Sequence, residues 1–182
     1  DNDRVLYQLA RAQEQGGQLD AATATLDRLL QSHPDTRYRD EVEFRHGELR
    51  FTARQYAQAE AAYSQVLQAG AGNPLRDRAL YMQGWSRYKQ GRLEDALESF
   101  FGVLEIKLSG QVGVADDTPL ARLPGLGRAD LELLDDTFRV VSLSLESLQG
   151  AASIPRLARG AARAGYEYRV YEQLGELYLR QG

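Results

Sequence analysis

The sequence predicts an all-α protein, a solenoid in which antiparallel helix pairs stack one after another. Three observations carry this. Two columns of small residues repeat at one step: Ala22, Ala59 and Ala96 lie 37 apart, and Ala10, Gly47 and Gly84 keep the same 37-residue spacing. Apolar residues follow helical periodicity, as in Leu93, Leu97, Phe100 and Leu104 at i, i+4, i+7 and i+11. Glycine and proline punctuate the segments at fixed places, Gln90-Gly91 between helices of a pair and Pro34 and Pro74 between pairs.

Each element follows from these columns. The first pair spans about 3–36, its second helix read from GQLDAATATLDRLL; the second spans 40–73, with RQYAQAEAAYSQVL; the third spans 76–107, with GRLEDALESFFGVL. Gly84 sits at the centre of the aromatic helix LYMQGWSRYKQ, where glycine costs roughly 0.5–1 kcal/mol relative to alanine. A helix crossing explains it: a larger side chain would push the axes beyond their usual 8–10 Å, about the spacing of packed helices, so Gly84 is expected to face Ala96. The period then breaks, since Gly91 to Gly150 is 59 residues, and an insertion is placed at 107–129, KLSGQVGVADDTPLARLPGLGRA. A degenerate pair is expected at 130–165. Its first helix carries the stripe Leu131, Leu134, Phe138, Val141, Leu145 and Leu148, widened by Leu133, Val140 and Leu143, so it packs on more than one side. Its second helix is read from IPRLARGAARAG. A last first helix fills 167–182.

These residues resemble the tetratricopeptide repeat, whose pattern is W-x2-L-G-x2-Y, then A-x3-F, then P. The third pair supplies Gly84 and Ala96-x3-Phe100, the second Gly47 and Ala59-x3-Tyr63, the first Leu9-Ala10, Ala22-x3-Leu26 and Pro34. Tyr171-x2-Leu174-Gly175-x2-Tyr178 matches a first helix, which implies a fragment of a longer array. The resemblance implies a right-handed superhelix. The 37-residue step exceeds the usual period of about 34, and the longer, proline-containing junctions resemble repeats of bacterial envelope proteins. A periplasmic or envelope location is therefore expected, with cytoplasm the alternative.

Composition bounds the remaining functions. A net charge of −4 gives no broad attraction to phosphate backbones, so nucleic acid is not an expected partner. No apolar run reaches the roughly 18 residues of a membrane span. The chain has no cysteine, and His33 and His46 stand alone, so no metal site is expected. Asp130, Glu132, Asp135 and Asp136 suit the positive end of a helix dipole, and their spacing does not match a calcium loop. There is no P-loop, no G-x-S-x-G elbow and no H-E-x-x-H. Neither catalysis nor a cofactor is expected.

What remains is binding. The resemblance implies that first helices line a concave groove, through the residues three before, one after and four after each glycine column. That nominates Tyr7, Arg11 and Glu14; Phe44, Glu48 and Phe51; and Tyr81, Trp85 and Tyr88, with Arg78 and Lys89 beside them. Aromatic rings with arginine dominate protein-binding hot spots, so a peptide or protein segment is the expected partner. The alternative is a spacer or self-association segment without a groove ligand. Arg156, Arg159 and Arg163, at i, i+3 and i+7, are expected to share one solvated helix face.

Overall fold

In the computed structural model, residues 2–111, 113–115, 117–160 and 163–182 are described, and among them every regular element is helical. The chain divides into two compact units, Asp1–Gln90 and Gly91–Gly182.

The first unit holds α1 (Asn2–Gln15), α2 (Leu19–Ser32), α3 (Arg39–Thr52), α4 (Tyr56–Leu67) and α5 (Arg76–Lys89), with α1 packed on α2, α3 on α4 and α4 on α5, and α2 touching α3 less extensively. The two pairs are closed by matching turns. The chain takes the left-handed conformation at Gly17, φ 75°, and again 37 residues on at Arg54, φ 60°. In each turn the following amide reaches back five residues, Gln18 N–H to Gln13 O and Gln55 N–H to Arg50 O, both 2.8 Å. These bonds satisfy helix-end carbonyls that would otherwise lack donors. Gly91 repeats the conformation at φ 75°.

The small-residue columns lie in the core. Ala10, Ala22, Leu26 and Leu29 form one cluster with Leu6, Tyr7, Val42 and Leu49. Phe44, Ala59, Tyr63, Val66 and Ala79 form a second, supported by Phe51 and Met82. The room left by the missing side chain of Gly47 is filled by the ring of Tyr63, whose three nearest atoms would lie 2.7–2.9 Å from an added Cβ. The aromatic residue four positions after the alanine column is thus what the glycine accommodates. Gly84 is buried on α5 at the end of the first unit, and Ala96 is fully buried at the start of the second.

The second unit contains α6 (Leu93–Leu108), α7 (Arg128–Glu146), α8 (Ile154–Leu157) and α9 (Glu167–Gln181). α7 packs on both α6 and α9, and Leu134, Phe138, Val140, Val141 and Leu145 are buried. Leu143, expected to widen that stripe, is 39% exposed. The inserted segment folds back on its own roots. Gln111 donates through Nε2 to Pro124 O at 2.9 Å, and Asp130 accepts from Lys107 Nζ at 2.6 Å and from Gly127 N–H at 3.0 Å. Asp130 therefore caps α7 and ties it to α6, the dipole role expected of it.

The second helix expected over IPRLARGAARAG is only one turn, Ile154–Leu157, with Pro155 in its first turn. Beyond it the chain at Gly160 lies against the Glu105 carboxylate of α6, where an added Cβ would meet Oε2 at 1.9 Å. Ala161 and Ala162 lie outside the described residues. With no helix to share, Arg156, Arg159 and Arg163 do not form a common helical face. Arg156 bonds Glu94 at 2.5 Å, Arg163 bonds Glu167 at 2.6 Å, and Arg159 turns back to the Arg156 carbonyl. Among the described residues no helix is long and apolar enough to cross a membrane.

Candidate protein-binding face

The candidate face lies on the first unit, along the first helices of its pairs. Its floor begins at Tyr7 of α1, 3% exposed, which stacks on Tyr38 with ring centres 5.3 Å apart. The Tyr7 hydroxyl donates to Glu41 in a short contact and accepts from Arg45 Nε at 3.2 Å. Burial first, and then the bond to Glu41, raise the Tyr7 pKa above its ordinary value, so the phenol keeps its proton and remains a donor. Arg45 also reaches Glu14 at 3.1 Å. One arginine on α3 thus joins two acids, one from α1 and one from its own helix, and fixes the two helices in register. Arg11 places its guanidinium 6.0 Å from the centre of the Tyr7 ring.

Phe44, four residues before Glu48 on α3, is 6% exposed and meets Tyr63 edge to face at 5.5 Å. Arg78, exposed on α5, lies over the outer side of that ring at 5.4 Å. Glu48 is half-buried, and burial lifts its carboxyl above the usual range against the opposing pull of Arg78 and Arg45. These groups border an open cleft of about 630 Å³ between α3 and α5, closed at its other end by Arg37, Tyr38, Asp40 and the junction residues Asn73 and Pro74. Asn73 is fixed there by a 3.1 Å bond to Asp40. The volume lies within the range of about 300–1,000 Å³ typical of ligand pockets.

Further along α5, Tyr81, Trp85 and Tyr88 are half-buried and meet edge to face in sequence, at 6.4 and 5.2 Å. Lys89 is exposed at the end of that helix. The geometry therefore brings Phe44, Glu48 and Arg78 to one cleft. Tyr7 and Arg11 stand beside it through the Tyr38 stack, and the ring row of α5 lies beyond it.

Glu41, Arg45, Tyr38 and Asn73 were not nominated from the sequence. Glu41 was legible: extending the row Phe44–Glu48 one turn back, at helical spacing, reaches it. Tyr38 and Asn73 sit in junctions, where no periodicity marks a side chain as facing anything.

On the other side of α3, His46 and Arg50 face α2. His46 Nε2 lies 2.8 Å from Asp27 Oδ1 and 3.2 Å from Arg50 Nε. One nitrogen cannot both give a proton to the carboxylate and accept one from the guanidinium. The shorter contact is assigned as the donation to Asp27, whose other oxygen takes Arg50 Nη2 at 2.9 Å. This cluster ties α2 to α3 and accounts for His46 structurally.

Tetratricopeptide repeat models match residues 1–40 and 44–106, together more than half of the chain. A solved structure described as "MamA RS-1 ArsTM double mutant" matches with a TM-score of 0.55 at 16% identity, covering 98% of this chain and 76% of that one. That likeness is one of fold. No protein of curated function matches the sequence.

Proposed function

Because the chain belongs to the tetratricopeptide-repeat family, whose stacked helix pairs present extended surfaces for binding, we propose that it is a scaffold holding a segment of a partner protein. The proposed site is the face of α1, α3 and α5, made by Tyr7, Arg11, Phe44, Glu48, Arg78, Tyr81, Trp85, Tyr88 and Lys89. The observation that carries the reading is the cleft between α3 and α5, where Arg78 lies over Phe44 beside a half-buried acid. Aromatic and arginine side chains in a partly desolvated recess are the groups that dominate protein-binding energy. Its mixed rim, Arg37 and Arg78 with Asp40 and Glu48, suits a segment carrying both apolar and charged residues.

Placement of the scaffold in a bacterial envelope assembly is part of the same proposal, resting on the long proline-containing junctions between repeats. The test is a photo-reactive phenylalanine analogue at position 81, in place of Tyr81, irradiated in cells. A discrete cross-linked partner is expected, and Arg78→Glu should abolish its capture while the helical circular dichroism is kept. Capture that survives Arg78→Glu together with Trp85→Ala would refute groove binding. Recovery of the parent protein from the cytosolic fraction alone would refute the envelope placement.

A further inference from the structure

The outer face of α9 carries, unmatched, the two halves of a contact that the first unit makes internally. Tyr171, Gly175, Tyr178 and Leu179 follow helical spacing and share one side of the helix. Tyr171 is 40% exposed, Tyr178 44% and Leu179 84%. Val170 and Leu174, on the other side, are buried where α9 packs on α7. In α1 and α3 the residue four before the small-residue column is buried, Leu6 and Glu43. In α9 that place is held by the exposed Tyr171.

The column residue differs in the same way. At Gly47 the ring of Tyr63, from the next helix of the pair, takes the room of the missing side chain, whereas nothing lies within 4 Å of a Cβ built on Gly175. One face of α9 therefore offers both an open place for a ring and, one turn away, a ring with no such place to enter. A two-fold axis matches a surface of this kind to itself, since each copy gives what the other lacks.

Charge selects the direction. Glu172, before Gly175, and Arg180, after it, are both exposed, and Arg180 otherwise holds only Glu176 of its own helix at 3.4 Å. Two α9 helices crossing antiparallel set the acid of each toward the arginine of the other and oppose their dipoles; a parallel crossing sets like against like. The glycine lets the helices approach closely, and tyrosine is enriched where proteins meet.

We propose that α9 is a self-association surface on which a second copy of this chain docks antiparallel, the Tyr171 ring of each entering the space over Gly175 of the other. One helix face is smaller than a standard stable interface, so the dimer is transient and forms at high local concentration. The surface belongs to the second unit, and its failure would leave the groove reading untouched.

Sedimentation equilibrium of the full chain at rising concentration reads the association state, and a monomer–dimer equilibrium is expected. Gly175→Leu fills the open space at a position without neighbours. It should weaken association at least tenfold while the helical circular dichroism is kept, and Leu179→Glu should act alike. Val5→Glu, at an exposed apolar residue of α1, should change nothing. A dimer indifferent to Gly175→Leu, or larger oligomers that Val5→Glu abolishes, would place the contact elsewhere and overturn the proposal. A chain that stays monomeric at millimolar concentration overturns it as well; if that monomer binds a synthetic peptide of α4, Tyr56–Leu67, the face takes a helix from another polypeptide instead.

Discussion

Replacing Gly47 by alanine should destabilise the first unit, although alanine is the better helix former. The substitution gains about 0.5–1 kcal/mol in helix propensity. Against this, the new Cβ would stand 2.7, 2.8 and 2.9 Å from Cε1, Cζ and Cδ1 of Tyr63, where carbon contacts prefer about 3.5–4.0 Å. The ring cannot swing away, since Tyr63 is 0% exposed and is braced edge to face by Phe44. Overpacking of this kind costs about 1–3 kcal/mol, leaving a net loss of about 1–2 kcal/mol. That corresponds to a fall in Tm of roughly 2–8 °C in a protein of this size. Gly175 holds the matching place in the repeat pattern on α9, but nothing lies within 4 Å of a Cβ built there. Gly175→Ala should therefore stabilise by about 0.5–1 kcal/mol, the propensity gain alone. Thermal and urea unfolding of the two variants, followed by circular dichroism, gives the comparison. Shifts of the same sign, or a neutral Gly47→Ala, would show that the ring does not depend on the missing side chain.

Two further outcomes follow from the same geometry. Arg54 holds a left-handed φ of 60° where Gly17 and Gly91 hold 75°, a conformation that costs a side-chain-bearing residue of order 1 kcal/mol; Arg54→Gly should raise the urea midpoint, and an unchanged midpoint would mean that the turn is not strained. Burial holds the His46 imidazole below its ordinary pKa despite the pull of Asp27, so the unfolded chain takes up that proton first as pH falls below about 6.5. Stability contributed by neutral His46 is then lost between that pH and the lower folded value. His46→Gln should flatten this part of the Tm profile relative to the parent. An identical profile would refute the assignment. Glu43 and Glu48, whose carboxyls burial raises, act in the opposite direction and are common to both proteins.

The fold was legible in the sequence where a repeating constraint acts on one residue type. The 37-residue columns mark positions with no room for bulk, and the glycines at 17 and 91 mark a left-handed turn. The same turn at Arg54 carries no signal in its own residue, because the bonds around it fix the backbone whatever the side chain. That the ring of Tyr63 fills the room at Gly47 was not legible, because spacing along one helix does not say which residue of its neighbour reaches across; that depends on the crossing. The shortness of the helix Ile154–Leu157 was not legible, since the close approach of Gly160 to Glu105 joins residues 55 apart. Of the candidate face, the ring and acid positions on the first helices were accessible from the repeat. The junction residues that close the cleft were not, because no periodicity marks which way a junction side chain faces.

In each of the first two pairs the two helices are joined by a turn with the same left-handed residue and the same five-residue backbone bond, and most contacts come from elements next to one another in the chain. Such a stack measures length in whole modules: cutting at one left-handed residue and rejoining at the next would remove two helices, one repeat length, and restore the same joint. Variation in the reach of this protein can thus arise by gain or loss of 37-residue cassettes, each carrying its own share of cohesion, without redesign of what stays behind.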